Sequence, residues 1–264
     1  MNPHSDANIQ HLYVITGASK GMGLEMARQL LSPQHQVLCI SRTASSDLAQ
    51  AADRAGAFLT QWSNNLADPA PVALRLSAWL AAMDRAHLRS ATLINNAGTL
   101  GAMAPLQTVA PATITQAIMV GLVAPLQLTA SFLQATGDWS SVQNVLNISS
   151  GMSQRAMAGA ALYGAGKAGM DQFSRCVALD EARRSPGARI VSLSPGVIDT
   201  DMQRELRNGD DALFPDKARY IELQATGALT SPSEAARQVL AYLHHAEFGT
   251  EAVVNIVQKR ELLT

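Results

Sequence analysis

Tyr163 and Lys167 lie one helical turn apart in an apolar-periodic stretch, so both side chains fall on one face. A tyrosine, with an ordinary pKa of about 10, keeps its proton near neutral pH and can give it to an oxygen that becomes an alkoxide. A nearby ammonium favours the tyrosinate and lowers that pKa, which is the part expected of Lys167. Ser150 closes the preceding strand-like run and can donate a hydrogen bond to the same oxygen as charge builds on it. Tyr–Lys pairs at this spacing are common in helices of no function. Here Gly164 and Gly166 stand between them, at a cost to a helix of about 1 kcal/mol each relative to Ala. Small residues there let a ligand approach the backbone.

A second chemical signal lies near the N-terminus, in Thr16-Gly17-Ala18-Ser19-Lys20-Gly21-Met22-Gly23 between a strand and a helix. Glycines allow a tight turn and close backbone approach, and the helix start offers free N–H groups to a phosphate. The spacing is Gly-x-x-x-Gly-x-Gly rather than the usual Gly-x-Gly-x-x-Gly. The next strand ends Cys39-Ile40-Ser41-Arg42, with no carboxylate before Asp47. Dinucleotide folds that select NAD place an acid here for the ribose 2′-hydroxyl. Arg42 suits a 2′-phosphate instead, with Ser41 as one more donor and Lys20 as a second cation.

The elements that must hold these residues alternate. Strands are predicted over 12–16, 37–41, 57–62, 92–95, 142–148, 189–193 and 251–257. Helices are predicted over 21–31, 72–86, 113–134 with a kink at Pro125, 161–184 and 233–244. Strand–helix alternation with nearly all-apolar strands predicts an α/β class: one Rossmann-type, doubly wound domain over 1–264, its seven-stranded, mainly parallel sheet covered on both faces. The segment 201–230 is more charged, carries Gly209, Pro215 and Gly227, and reads as a substrate lid.

Composition narrows the function. Apolar residues make up 47% of the chain and charged ones only 16%, which excludes a disordered protein. The net charge of −1 implies no nucleic-acid or anionic-membrane partner. Cys39 and Cys176 form no disulfide or metal pattern and read as buried or half-buried thiols; His244 and His245 close a helix without ligand partners, so no metal is expected. Residues 1–10 lack the pattern of a signal peptide and no apolar run looks long enough to cross a bilayer, so a cytoplasmic protein is expected.

Taken in order, Thr16 to Gly23, Asn95-Asn96-Ala97-Gly98, Ser150, Tyr163-x-x-x-Lys167 and Pro195-Gly196 resemble the motifs of the short-chain dehydrogenase/reductase family, over nearly the whole chain. The run is most similar to the sepiapterin reductase and benzil reductase branch. The resemblance implies a metal-free, NADPH-dependent reduction of a ketone or vicinal dicarbonyl, with Ser150, Tyr163 and Lys167 catalytic. It implies a cofactor site of Gly17, Ser19, Lys20, Gly21, Met22, Gly23, Ser41, Arg42, Asn65, Leu66, Asn95, Ala97, Gly98, Tyr163, Lys167, Pro195, Gly196, Val197 and Thr200. Asn65-Leu66 stands where the family has Asp-Leu or Asp-Val beside the adenine, and Thr200 where the nicotinamide carboxamide is bound. Leu100, Met103, Met152, Gln154 and Val197 are expected to line the substrate pocket. Pairing through 113–134 and 153–184 into a dimer or tetramer is also implied. One departure stands out: Gly121 replaces an Asn that many relatives carry in their central helix. A dehydrogenase or 3-oxoacyl reductase, and a catalytically weak NADP-binding regulator, stay open as alternatives.

Overall fold

The computed structural model describes residues 9–262. The part of the N-terminal stretch before Ile9, included in the signal-peptide reading, lies outside them. Among the described residues seven strands form one sheet: β1 His11–Thr16, β2 His35–Ser41, β3 Phe58–Ser63, β4 Ser90–Asn95, β5 Val142–Ile148, β6 Arg189–Ser194 and β7 Val253–Asn255. Their order is β3-β2-β1-β4-β5-β6-β7 and every neighbouring pair is parallel. The sheet's two faces are built by alternation along each strand. In β1, Tyr13 and Ile15 enter a core with Met26 of α1 (Gly21–Gln29) and Val239 of α9 (Pro232–His244). Leu12 and Val14 enter the other, with Leu76 of α3 (Ala70–Ala81) and Phe132 of α5 (Ala124–Thr136). This is the doubly wound, Rossmann-like arrangement expected of the sequence.

The differences have local causes. Helix α2, Ser46–Ala55, was not expected because only Leu48 and Ala52 of it are buried. Its ends were nonetheless written in the sequence: Ser45 Oγ accepts from the Leu48 N–H, and Gly56 adopts the left-handed conformation at φ 61°. The predicted 113–134 helix is two helices, α4 Pro111–Ile118 and α5, joined by a π-turn at Met119–Val123. The π-turn ends just before Pro125, whose ring offers no N–H to the Gly121 carbonyl one turn back. Helix α6, Ala161–Glu181, ends before Arg184, which turns back to donate to the Gly137 carbonyl. Segment 201–230 contains α7 Asp201–Arg207 and α8 Lys217–Ala225. Cys176 is exposed rather than half-buried, while Cys39 is buried.

The expectation that no segment is long enough to cross a bilayer needs correction. Pro111–Thr136 spans 26 residues at mean hydropathy 1.5, which passes by length and composition. Gln116 and Gln127 interrupt the apolar run in the sequence without interrupting the helical span. Its C-terminal half, α5, packs on α3 and on β4 and β5.

A buried polar chain ties these layers together. Asn95 Nδ2 donates to Thr129 Oγ1 at 3.1 Å and to Asn147 Oδ1 at 2.8 Å. Asn147 Nδ2 donates to Ser174 Oγ at 2.9 Å, and that hydroxyl donates to the Met170 carbonyl at 2.8 Å. It runs from α5 through β4 and β5 to α6, the helix that carries Tyr163 and Lys167. Asn147 is fully buried, so Asn147→Ala strands buried partners and is expected to lower the unfolding free energy by about 1–3 kcal/mol. Urea denaturation reads this; an unchanged midpoint would show that the chain carries no stability.

Candidate active site

The sheet's strands end at one edge, and the chain reverses direction across it between β1 and β4, the place where such sheets bind ligands. A hydrogen-bonded clasp closes this point. Thr16 Oγ1 accepts from the backbone N–H groups of Asn96 and Ala97, both at 3.0 Å. Asn96 Nδ2 donates to the carbonyls of Thr16 at 3.0 Å and Gly17 at 3.2 Å. The turn that follows is crowded: Gly17 has φ 68°, and a Cβ there would lie 2.8 Å from Ala97 Cα. A Cβ on Gly23 would collide with the Gly17 carbonyl. Only glycine fits both positions, which brings the start of α1 flush with the strand ends. Lys20 stands at the N-cap of α1 without a side-chain capping bond, leaving the first N–H groups of the helix for an anion.

The other expected cofactor residues divide by what their side chains do. Ser41 is buried and its Oγ has no hydrogen-bond partner among the described residues; Arg42 beside it is exposed. An orphaned buried hydroxyl next to a free guanidinium fits a phosphate oxygen. Lys20 instead reaches Asp201 at the start of α7, 2.7 Å from Oδ2, and Asp201 also pairs with Arg204. Met22 turns into the core, so only its backbone faces the turn. Asn95 is spent on the buried chain, and Asn65 accepts from the Ala67 N–H at 3.0 Å in a local turn beside the buried Leu66. Ser19 is half-buried within the turn. Gly196 follows Pro195 at φ 86°; Val197 accepts from Thr230 N–H, and Thr200 lies against Gly21, within 3.4 Å of where its Cβ would be. Thus the loop after β6 sits over the glycine turn. Thr16 and Asn96, which shape this turn, were not among the expected site residues, although the Asn95–Gly98 motif contains one of them.

Helix α6 faces the end of β5. Lys167, 4% exposed, donates from Nζ to the Ile148 carbonyl at 2.6 Å, and its Nζ lies 5.7 Å from the centre of the Tyr163 ring. Ser150, just beyond β5, accepts from the Met152 N–H at 3.2 Å. Burial pushes the Tyr163 phenol up to about 12, against an opposing pull from the Ser150 hydroxyl beside it. Burial also pushes Lys167 down to about 8, opposed by the Asp171 carboxylate. Asp171 is buried one turn beyond Lys167 and accepts from Ser192 Oγ at 2.6 Å. Tyr163, Lys167 and Asp171 therefore continue one helical face, a spacing visible in the sequence but not used there. Gly121 is buried in the π-turn, where an added Cβ would meet nothing within 4 Å. It lines a cavity of about 10 Å³ with Gly98, Gly166, Tyr163 and Lys167.

Over Tyr163 lies a third apolar cluster. Leu100, Leu206, Phe214 and Tyr220 form its buried centre, and Met103, Met152, Met157, Met202 and Leu223 pack on it. It joins α7 and α8 to the helix carrying Tyr163. Leu100, Met103 and Met152 were expected here; Gln154 and Val197 are not members. The α7–α8 residues were expected only as a segment. Their separation in sequence from Tyr163 hides the contact.

The model of the short chain dehydrogenase family matches residues 11–211. Benzil reductase ((S)-benzoin forming) of Bacillus cereus is 32% identical over 243 residues, 92% of this chain and 98% of that protein. Sepiapterin reductase of Bos taurus is 31% identical over 259 residues, covering 92% and 93% of the two chains. Among solved structures, a short-chain dehydrogenase/reductase from Burkholderia vietnamiensis aligns with TM-score 0.63 at 30% identity, over 94% of this chain and 97% of that one.

The buried ammonium has a measurable cost. With a folded pKa of about 8 against about 10.5 unfolded, the folded chain binds fewer protons than the unfolded one between those values, so stability rises with pH across that window. Lys167→Met removes the group. It is expected to be more stable than the natural chain below pH 8, by up to about 3 kcal/mol, with the gap closing toward pH 10.5. Unfolding at a series of pH values reads this, and a variant less stable at pH 7 would refute it.

Proposed function

The chain belongs to the short-chain dehydrogenase/reductase family of oxidoreductases, and from that premise we propose that it reduces an apolar, vicinal dicarbonyl with NADPH. The observation that carries this reading is the apolar, methionine-rich cluster over a half-buried Tyr163 that still holds its proton.

Bound NADPH would supply a hydride to the carbonyl carbon. The chain's own residues do the rest. Tyr163 gives its proton to the carbonyl oxygen; with the pKa raised by burial, it is fully protonated at neutral pH and needs charge relief as it ionises. Lys167 provides that relief as an ammonium held by the Ile148 carbonyl, and it also binds the ribose hydroxyls. Ser150 positions the substrate oxygen. Thr200, with Pro195, Gly196 and Val197, holds the carboxamide end. Ser41 and Arg42 hold the 2′-phosphate, in the absence of any carboxylate from Arg42 to Ser46. Lys20 joins them only by leaving Asp201. Flat, apolar rings fit the thioethers of Met103, Met152, Met157 and Met202, which adapt to irregular outlines. Residues 201–230 act as the cover of this pocket within a single domain, and a pair or tetramer of chains associates through α4, α5 and α6.

NADPH consumption with an aromatic 1,2-diketone tests the reading. Turnover is expected with NADPH and little with NADH. Tyr163→Phe should lose at least about a hundredfold in kcat with NADPH affinity retained, the usual size of a general-acid contribution. Arg42→Gln should raise KM for NADPH about tenfold or more and leave that for NADH unchanged, as loss of a charge-assisted contact to phosphate. Full turnover in Tyr163→Phe would overturn the catalytic assignment; NADPH binding without turnover on any dicarbonyl would favour a cofactor-binding regulator.

A further inference from the structure

The starts of the strands carry a second concave site, at the edge of the sheet opposite the one that bears Tyr163. Parallel register sets His35, His11 and Ser90 side by side at the first positions of β2, β1 and β4, and places Val142 of β5 next to Ser90. Arg189 opens β6 beside Asn144. Arg89 precedes β4, and His244 closes α9 above them. Together with Tyr13 they surround a cavity of about 410 Å³. Five steps along β1 separate it from the glycine turn, about 17 Å.

The chemistry of this lining is one-sided. It contains two guanidiniums, three imidazoles and no carboxylate. Among the described residues neither Arg89 nor Arg189 forms an ion pair. Arg189 is half-buried; its Nε donates to the neutral Asn144 amide at 2.8 Å and its guanidinium lies 5.5 Å from the centre of the Phe248 ring. The imidazoles are oriented by neutral partners: His11 Nδ1 and Ser90 Oγ are 2.8 Å apart, His35 Nδ1 is 2.7 Å from the Leu30 carbonyl, and His244 Nε2 is 3.1 Å from Tyr13 Oη. The rings of His11 and His35 meet edge-on at 5.3 Å. Of these groups Arg189, His11 and His35 are half-buried while Arg89 and His244 are exposed, and none has a carboxylate beside it in the lining, which leaves the counter-charge to be supplied from outside.

We propose that this cavity is a second anion site, taking a small divalent oxyanion of the phosphate or phosphate-monoester class between Arg89 and Arg189, with the three imidazoles as further donors. In its absence burial, followed by their neighbouring cations, lowers the proton affinity of His11 and His244. Tyr13 is held protonated, its phenol pushed up to about 12 by burial. A bound dianion reverses the electrostatic balance at the imidazoles, so binding takes up protons and strengthens as pH falls. The site is independent of the catalytic reading, since it shares no residue with it.

Sulfate is the probe of choice because it stays divalent across the pH range in which histidine titrates. Calorimetric titration is done on the full chain saturated with NADP, so that the glycine turn is occupied. Saturable binding is expected, several-fold tighter at pH 5.5 than at pH 7.5, with the ring resonances of His11 and His244 shifting in NMR spectra. Arg89→Gln, an exposed position at which folding is not at stake, should weaken it about tenfold, as should Arg189→Gln. The absence of saturable binding, or binding that both variants leave intact and Arg42→Gln removes, would overturn the proposal.

Discussion

Four hydrogen bonds at the point where β1 and β4 diverge hold the rest of the site in place. The Thr16 hydroxyl takes two backbone N–H groups from the opposite strand end, and the Asn96 amide returns two bonds to the carbonyls of Thr16 and Gly17. Strand ends in a parallel sheet would otherwise leave these groups to water. Closing them side by side forces the chain into the left-handed turn at Gly17 and sets the first residues of α1 against the sheet. The position of Thr200 over Gly21, and through it the start of α7, follows from the same contact. The glycine turn is thus shaped by the Thr16 and Asn96 side chains closing on backbone groups, and Ser41, Arg42 and Lys20 are the polar side chains beside it.

Burial has opposite effects on Tyr163 and Lys167. It keeps the Tyr163 proton in place and makes the Lys167 proton easier to lose, so their affinities, close in their ordinary values, are driven apart to about 12 and about 8. Asp171 opposes the second effect from one turn further along α6, itself held by Ser192 of β6. The site therefore depends on the whole length of α6, which the buried Asn95–Asn147–Ser174 chain fastens to the sheet.

Most of this was legible in the sequence where the determinant is local. The parallel, doubly wound sheet followed from alternation, and the glycine turn and the Tyr163–Lys167 pair followed from spacing. Partners distant along the chain were not. Nothing near Lys20 announces Asp201, nothing near Tyr163 announces Phe214 and Tyr220, and His11, His35 and His244 become neighbours only once β1, β2 and α9 are packed. Helix α2 was missed for another reason: with two buried residues it carries little periodic signal, although its caps are ordinary. The irregularity read at Pro125 takes the form of the π-turn that ends just before it, because proline has no N–H for the Gly121 carbonyl one turn back.

The cover over Tyr163 has four half-buried methionines among its members. Thioethers are soft toward peroxide, and each oxidation replaces an apolar contact with a polar, chiral sulfoxide. The glycine turn contains no such group except Met22, whose side chain is buried in the core. Oxidative damage would therefore be graded across the molecule. It would wet and misshape the apolar cover over Tyr163 first, while the glycine turn, built from backbone, hydroxyls and the Asn96 amide, would stay intact, and the enzymes that reduce methionine sulfoxide could restore the cover without the fold having been lost.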